Sequence, residues 1–190
     1  MTGQISDTVI FKRKKYSLAE FEGEGLFDPT KFGIQPGATS SANWRGFVCT
    51  YKVYRRRLKL SDLSINIPNH EYKKLFRALN IEFDPNVNEL FYFKYLSQML
   101  VDINFSGKML IGRDFIRGFY IHMGFQSAFS YQDVWLLEFS EGHLQLAENI
   151  SAEMKDMRAS YIDNIQNNKE PEDLLTWIAE RFSQRIRRNK

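Results

Sequence analysis

A chain of 190 residues, of which 43% are hydrophobic and 26% charged, has the composition of one globular domain and excludes a disordered protein. The 26 basic and 23 acidic residues nearly cancel, whereas a dedicated nucleic-acid-binding domain usually concentrates positive charge on one face. The only cysteine, Cys49, excludes an intramolecular disulfide and a zinc site built on several cysteines, and it favours a reducing, cytoplasmic setting.

Three segments share one pattern of apolar and polar residues that predicts a β-hairpin. Apolar residues stand at the first, third, eighth and tenth positions, around a short polar stretch, in residues 9–20, 51–62 and 137–148. A hairpin with one buried face requires this period-two spacing on both of its strands. The turns are predicted in KRKK (12–15), in YRRR (54–57) and at Gly142, where a positive φ is cheap.

The segment between the first two hairpins, residues 23–43, is rich in Gly, Pro and small polar residues. It is too irregular for a helix or strand and longer than an ordinary connection. We interpret it as a binding loop or a flexible lid.

Two segments in the middle of the chain have helical features. An N-capping Asn69 followed by apolar residues at helical spacing predicts a short helix over 69–79. Residues 87–100 are ambiguous, because their length favours a helix and their aromatic content favours a strand. We expect helix in the early part, so that a helical insertion covers about 69–100.

Strand patterns return at 103–112 and 118–129, followed by the third hairpin, and two helices are predicted at 151–166 and 170–188. Because the last helices follow the strands instead of alternating with them, the fold class is α+β. The prediction is a single domain over 1–190, with a β-rich part at 7–148 and C-terminal helices at 151–188. Its centre is a curved antiparallel sheet built from hairpins, against which those helices pack.

The stretch Asn43, Trp44, Arg45 is the first candidate ligand-binding site. In the functional interpretation the Trp44 ring is a stacking platform and the Arg45 guanidinium binds an anion. In the structural alternative Trp44 packs on the sheet, Arg45 pairs with an acid, and Gly46 marks a bulge or a close backbone approach. We favour the structural alternative, because aromatic side chains mostly serve as packing anchors.

The run Arg55, Arg56, Arg57 and the other basic stretches are candidate nucleic-acid contacts, since Lys and Arg neutralise phosphates. The alternative, which we favour, is that these residues form solvated turns and a helix end.

His122 is the third candidate, with Asp114 and Glu138 as carboxylate partners in a small-molecule enzyme. A single His in a strand pattern is much more often structural. The three histidines show no metal-ligand spacing, and no G-x-S-x-G elbow, P-loop or complete G-x-G-x-x-G motif occurs. Cys49, in an alternating apolar run, is predicted to be a small buried residue. We therefore assign no catalytic residue, metal or cofactor.

The motifs SANWRGF, LKLSDLSI, FSGKMLIGRDF and YIHMGF together resemble a family of small β-rich bacterial proteins of unknown function. In that family an N-W-R-G-aromatic strand leads a hairpin and an F-S-G strand follows. The resemblance covers about 38–67 and 103–146. It implies a bacterial β-rich domain and transfers no activity.

The leading hypothesis is a non-enzymatic binding protein in the cytoplasm whose partner is another protein, of an accessory or immunity type. Neither a signal segment nor a run of roughly 20 apolar residues is present, so we expect no membrane partner. The alternatives are nucleic-acid binding through the basic turns, and an enzyme using Asp114, His122 or Glu138.

Overall fold

A computed structural model describes residues 3–82, 89–90, 93–122 and 124–166 of the chain. The strands formed by these residues are β1 (Thr8–Phe11), β2 (Lys14–Glu24), β3 (Phe47–Tyr54), β4 (Arg57–Asn66), β5 (Glu89–Leu90), β6 (Phe93–Leu96), β7 (Val101–Asp102), β8 (Ser106–Phe115), β9 (Tyr131–Ser140) and β10 (His143–Asn149). The α-helices are α1 (Tyr72–Leu79) and α2 (Ser151–Gln166), and 3₁₀ helices span Pro29–Phe32, Asn69–Glu71, Arg117–Phe119 and Ala128–Ser130.

The strands form one curved, mostly antiparallel sheet in the order β10-β9-β8-β2-β1-β3-β4-β6-β5, with β7 also paired to β4. The exception to the antiparallel pairing is β1 with β3, which run parallel with Ile10 opposite Lys52. The start of β10 pairs with the start of β4, where His143 lies opposite Arg57. This contact brings the two ends of a seven-strand path together, so the predicted α+β fold with a curved sheet is confirmed.

All three predicted hairpins form, and each has a two-residue turn. Both turn residues have positive φ at Lys12–Arg13 (48° and 64°), Arg55–Arg56 (48° and 63°) and Glu141–Gly142 (48° and 77°). Two left-handed residues in succession define the type I′ turn, whose twist matches that of paired strands. Two of the three turns therefore achieve this geometry without glycine.

Two apolar clusters hold the fold together. The larger fills the inside of the curved sheet and includes the fully buried side chains of Val9, Cys49, Leu58, Leu60, Leu63, Ile65, Phe105 and Ile111. The smaller lies between the outer face of β8 and β9 and helix α2, around Phe129, Val134 and Met154. Met157 and Tyr161 also pack there, and the helix predicted at 151–166 is confirmed as α2.

The helix predicted at 69–79 is present as the 3₁₀ turn Asn69–Glu71 followed by α1, and its predicted apolar residues are buried. The predicted cap is wrong, because Asn69 lies inside the 3₁₀ turn and Glu71 occupies the N-cap position of α1 without a side-chain bond.

The prediction of a helix in the early part of 87–100 is wrong for the described residues, because these form the strands β5 and β6. The edge of β4 accounts for this difference: Leu63–Asn66 pair with Leu96–Phe93, and this partner favours the aromatic-rich segment as a strand.

The strand predicted at 118–129 is also wrong. This segment contains two 3₁₀ helices joined by an irregular loop that carries His122. The side-chain amide of Gln126 accepts from the N–H of Ile121 (2.9 Å) and donates to its carbonyl (2.7 Å). The Gln126 side chain thus satisfies the N–H and the carbonyl of Ile121, which in a sheet would bond to a neighbouring strand.

The predicted helix 170–188 lies outside the described residues. Among those that are described, no helix has the length and apolar character needed to cross a bilayer. The prediction that 23–43 is irregular is confirmed from residue 25 onward, apart from the 3₁₀ helix Pro29–Phe32. The first two residues of 23–43 are the end of β2.

Candidate binding surface at the Trp44 end of the sheet

Arg45 is held by a buried carboxylate. Its two terminal nitrogens donate to the two oxygens of Asp7 at 2.9 and 3.2 Å, in a bidentate pair. Asp7 Oδ1 also accepts the backbone N–H of Cys49 at 2.8 Å, which fixes the carboxylate to β3. The structural alternative for Arg45 is therefore confirmed, because this guanidinium is already paired with an acid.

The Arg45 guanidinium also lies between two aromatic rings. Its central carbon is 4.8 Å from the ring centre of Phe47 and 5.2 Å from that of Phe125. Phe125 belongs to the loop between the two 3₁₀ helices, so Arg45 joins that loop to the start of β3. Burial alone lowers the pKa of Arg45, but the hydrogen bonds and charge of Asp7 outweigh it and raise the net pKa. Arg45 is consequently a fixed cation.

Trp44 is directed outward and is 62% exposed, the largest exposed fraction among the large hydrophobic side chains described. The prediction that it packs on the sheet is wrong. Its backbone N–H donates to the side-chain oxygen of Gln4 at 3.2 Å. Gly46 has φ +72, and a Cβ there would lie 2.2 Å from the carbonyl oxygen of Gly37, so the predicted close backbone approach is confirmed.

Asn43 is buried inside the loop that precedes Trp44. Its side-chain nitrogen donates to Thr39 Oγ1 at 3.0 Å, and its backbone N–H donates to the Ser40 carbonyl at 3.1 Å. Its Oδ1 atom is buried and accepts no hydrogen bond in the described part of the chain. With 4% of its surface exposed, Asn43 shapes the loop instead of facing a ligand.

The N-terminal residues join the Trp44 loop to the His122 loop. Gln4 donates its backbone N–H to the Gly124 carbonyl at 2.7 Å, and the Gly3 N–H donates to the Tyr120 hydroxyl at 2.9 Å. Tyr120 in turn contacts the exposed His122 edge to face, with ring centres 5.1 Å apart. We call the exposed side chains of Trp44, Tyr120, His122 and Phe125 the aromatic surface.

The rest of the proposed enzyme site is dispersed. Glu138 lies opposite Lys108 in the β8–β9 register, while Asp114 follows six positions further along β8. At about 3.3 Å per residue this spacing separates Glu138 from Asp114 by about 20 Å. Asp114 instead pairs with neighbouring Arg113 at 3.1 Å. The three predicted residues do not form one site, and the described residues contain no cluster that would hold a metal ion.

Cys49 is fully buried, as predicted. Burial raises the pKa of its thiol well above the usual value, and the negative charge of Asp7 adds to the increase. Its thiol therefore stays protonated, which excludes a nucleophilic role at neutral pH.

The arginine run occupies the β3–β4 turn, as predicted, and two of its members have partners. Arg56 donates to the Leu144 carbonyl at 2.5 Å, and Arg57 pairs with Asp102 at 3.3 Å. Arg55 lies over the ring of Tyr54, 5.3 Å from its centre. Much of this charge is therefore engaged in closing the sheet.

No family model, curated protein or solved structure matches the chain. The fold places it among α+β proteins with a curved, mostly antiparallel sheet, and the resemblance to bacterial β-rich proteins remains a prediction. Sequence reasoning missed Asp7, Gln4 and Phe125, since each acts on Trp44 or Arg45 from a distant part of the chain.

Proposed function

We propose that this protein is a non-enzymatic binding protein of the cytoplasm that attaches to another protein, as an accessory or immunity-type partner. The aromatic surface is the contact. The observation that carries this proposal is the 62% exposed Trp44 side chain beside Arg45, whose guanidinium is fixed by buried Asp7.

Anchoring of this kind favours binding for a physical reason. Trp and Tyr are enriched among the interface residues that contribute most to affinity. Holding their backbone and neighbours in place before binding reduces the entropy lost on association. Here Gln4, Asp7 and Gly46 hold the backbone around Trp44, so little ordering is left for the partner to impose.

The test compares proteins captured from the native host by the wild-type chain and by Trp44→Ala and Phe125→Ala. Tyr54→Ala is the matched control, because Tyr54 is also exposed (41%) but lies at the other end of β3. A partner enriched on the wild type should be lost by more than tenfold from the first two variants and kept by the control, since a central aromatic anchor contributes 2 kcal/mol or more, roughly. Equal capture by all four proteins would contradict the proposal.

A second candidate, nucleic-acid binding, is favoured by one specific observation. Because β1 and β3 run parallel, the turns Lys12–Arg13 and Arg55–Arg56 leave the sheet at the same end. Their exposed cations form a basic edge of the kind that phosphates bind. Against it stand the pairing of Arg57 with Asp102 and the nearly balanced charge of the whole chain.

This candidate predicts binding of labelled single-stranded RNA or duplex DNA that weakens steeply with salt. Charge removal at Arg13 and Arg55 should lower the salt slope by about one per lost phosphate contact. Lys155→Gln, on exposed α2, is the control and should leave the slope unchanged. Absence of binding at low salt would eliminate this candidate.

A further inference from the structure

A cavity of about 250 Å³ lies between the 3₁₀ helix Pro29–Phe32, the end of α1 and strand β7. Its walls are largely apolar and include Leu26, Phe27, Phe32, Leu79, Val101 and Ile103. It is formed partly by the 23–43 segment, which the sequence predicted to be a binding loop or lid. None of its lining residues belongs to the aromatic surface.

The walls of this cavity are fixed by the surrounding structure. The backbone N–H of buried Phe27 donates to the hydroxyl of buried Tyr51 at 3.2 Å. Gly25 has φ +100 and approaches the Asn104 carbonyl so closely that a Cβ would lie 2.3 Å from its oxygen. Lys74 on α1 donates to the Gly33 carbonyl at 2.5 Å. The cavity therefore exists before any ligand binds.

Two carboxylates at the rim already have partners. Asp28 accepts the N–H and the hydroxyl of Thr30 at 2.9 and 2.7 Å, and so caps the 3₁₀ helix. Asp102 accepts Lys59 at 2.9 Å and pairs with Arg57 at 3.3 Å. The bond from Lys59 is the main cause that lowers the pKa of Asp102, which therefore stays ionised and neutralised by these cations at neutral pH.

Lys31 is the remaining charged residue of the lining. It is exposed, and it makes no ion pair with any described residue. Of the three charged residues that line the cavity, Asp102 pairs with Lys59 and Arg57 and Asp28 accepts from Thr30, so Lys31 is the one without a described partner. An apolar cavity with one unpaired cation at its rim suits a ligand with an apolar body and an anionic end.

We propose that this cavity binds a small monocarboxylate, with its apolar body between Phe27, Leu79 and Ile103 and its carboxylate at Lys31 Nζ. At about 30 Å³ per water-sized group, 250 Å³ accommodates roughly eight non-hydrogen atoms, the size of a short-chain carboxylate. The site is independent of the aromatic surface, so failure of either proposal leaves the other standing.

The experiment titrates the isotope-labelled full chain with hexanoate, hexanamide and pentylamine at neutral pH and constant ionic strength. These probes share one apolar body and differ in charge. Amide shifts should concentrate at residues 25–32, 78–79 and 101–104. Hexanoate should bind about three- to fivefold more tightly than hexanamide, since an exposed ion pair contributes up to about that factor, and pentylamine should bind most weakly.

Two variants locate the site. Lys31→Met keeps an extended side chain and removes the charge, so the affinity for hexanoate should fall to that for hexanamide, while the affinity for hexanamide is unchanged. Lys155→Met on α2 is the matched control and should alter neither affinity. Ala78→Phe places a ring in the cavity and should abolish binding of all three probes.

Several results would overturn the proposal. Pentylamine as the tightest probe would identify a cation site at Asp28 and Asp102, and equal affinities would identify a purely apolar cavity. Shifts outside the three segments, or no binding by any probe, would equally reject it. The conclusion survives misfolding of Ala78→Phe, because the surface substitution Lys31→Met tests the charge separately.

Discussion

An aromatic residue next to an arginine occurs near both ends of strand β3, in different settings. Trp44, three residues before the strand begins, is 62% exposed beside Arg45, and Tyr54, its last residue, is 41% exposed beside Arg55. Arg45 is held by a buried carboxylate and lies between two aromatic rings, whereas Arg55 occupies a two-residue turn over the Tyr54 ring. An aromatic residue next to an arginine is therefore not a site by itself.

The difference lies in what fixes each arginine. The contacts of Arg45 come from Asp7 and Phe125, which join three separate segments of the chain into one rigid surface. The contact of Arg55 is with its own neighbour and requires only the hairpin. Substitutions at the two ends should therefore differ in cost, and three of them test this contrast.

The largest effect is expected for Asp7→Ala. This change leaves the Arg45 charge without its partner and the Cys49 N–H without an acceptor. Breaking a fully buried pair costs about 3–5 kcal/mol, and we expect about 2–4 kcal/mol because the Arg45 side chain is 30% exposed. The free energy of unfolding, from urea denaturation, measures this cost.

Asp114→Asn is the matched control for that experiment. Asp114 pairs with Arg113 at the surface, where its side chain is 53% exposed, and its φ of 61° tolerates Asn. The control should lose less than about 0.5 kcal/mol. An equal loss of unfolding free energy in Asp7→Ala and Asp114→Asn would show that the buried Asp7–Arg45 pair contributes no more than the exposed Asp114–Arg113 pair.

An intermediate effect is expected for Gly46→Ala. The added Cβ would meet the Gly37 carbonyl at 2.2 Å in a left-handed conformation, so the backbone after Arg45 must shift. We expect a loss of about 1–3 kcal/mol in thermal or urea unfolding, with a change in Trp fluorescence. Gly118→Ala, which meets nothing within 4 Å, should stay within about 0.5 kcal/mol of the wild type.

The smallest effect is expected for Arg55→Asn at the other end of β3. Arg55 has φ 48° in a type I′ turn, a conformation that Asn adopts at lower cost. Stability should therefore stay constant or rise by about 0.5 kcal/mol, measured as the urea midpoint. A loss of more than about 1 kcal/mol of unfolding free energy would contradict the contrast, because Arg55 would then contribute to stability as the Asp7–Arg45 pair does.

The hairpins were predictable from the sequence because alternation and a polar turn are local properties. The burial of Cys49 and the helix at 151–166 were predictable for the same reason. The partner of Arg45 was not, since Asp7 lies 38 residues away and no local pattern distinguishes it from other acids. The contacts around Trp44 were not predictable either, since Gln4 accepts the Trp44 N–H and Gly37 approaches Gly46 from other parts of the chain.

The wrong secondary-structure assignments at 118–129 and 87–100 have a common physical cause. Residues 118–129 alternate like a strand, but the side chain of Gln126 satisfies the backbone that a neighbouring strand would have satisfied. The described part of 87–100 became strand because β4 offered an edge to pair with. In both segments, strand formation depended on whether the edge of a neighbouring strand was available for pairing. Local β propensity does not indicate this.

The contact between β10 and β4, which closes the sheet, has a consequence for how the chain folds while it is being synthesised. Arg56 and Leu144, which meet there, are 88 residues apart in sequence. At 5–20 residues per second a ribosome needs about 4–18 s to supply the second after the first. During that interval the first residues of β4 lack their final neighbour, and charged side chains oppose association of such open edges between chains. We expect the arginine run to protect the nascent hairpin from aggregation before it closes the finished sheet.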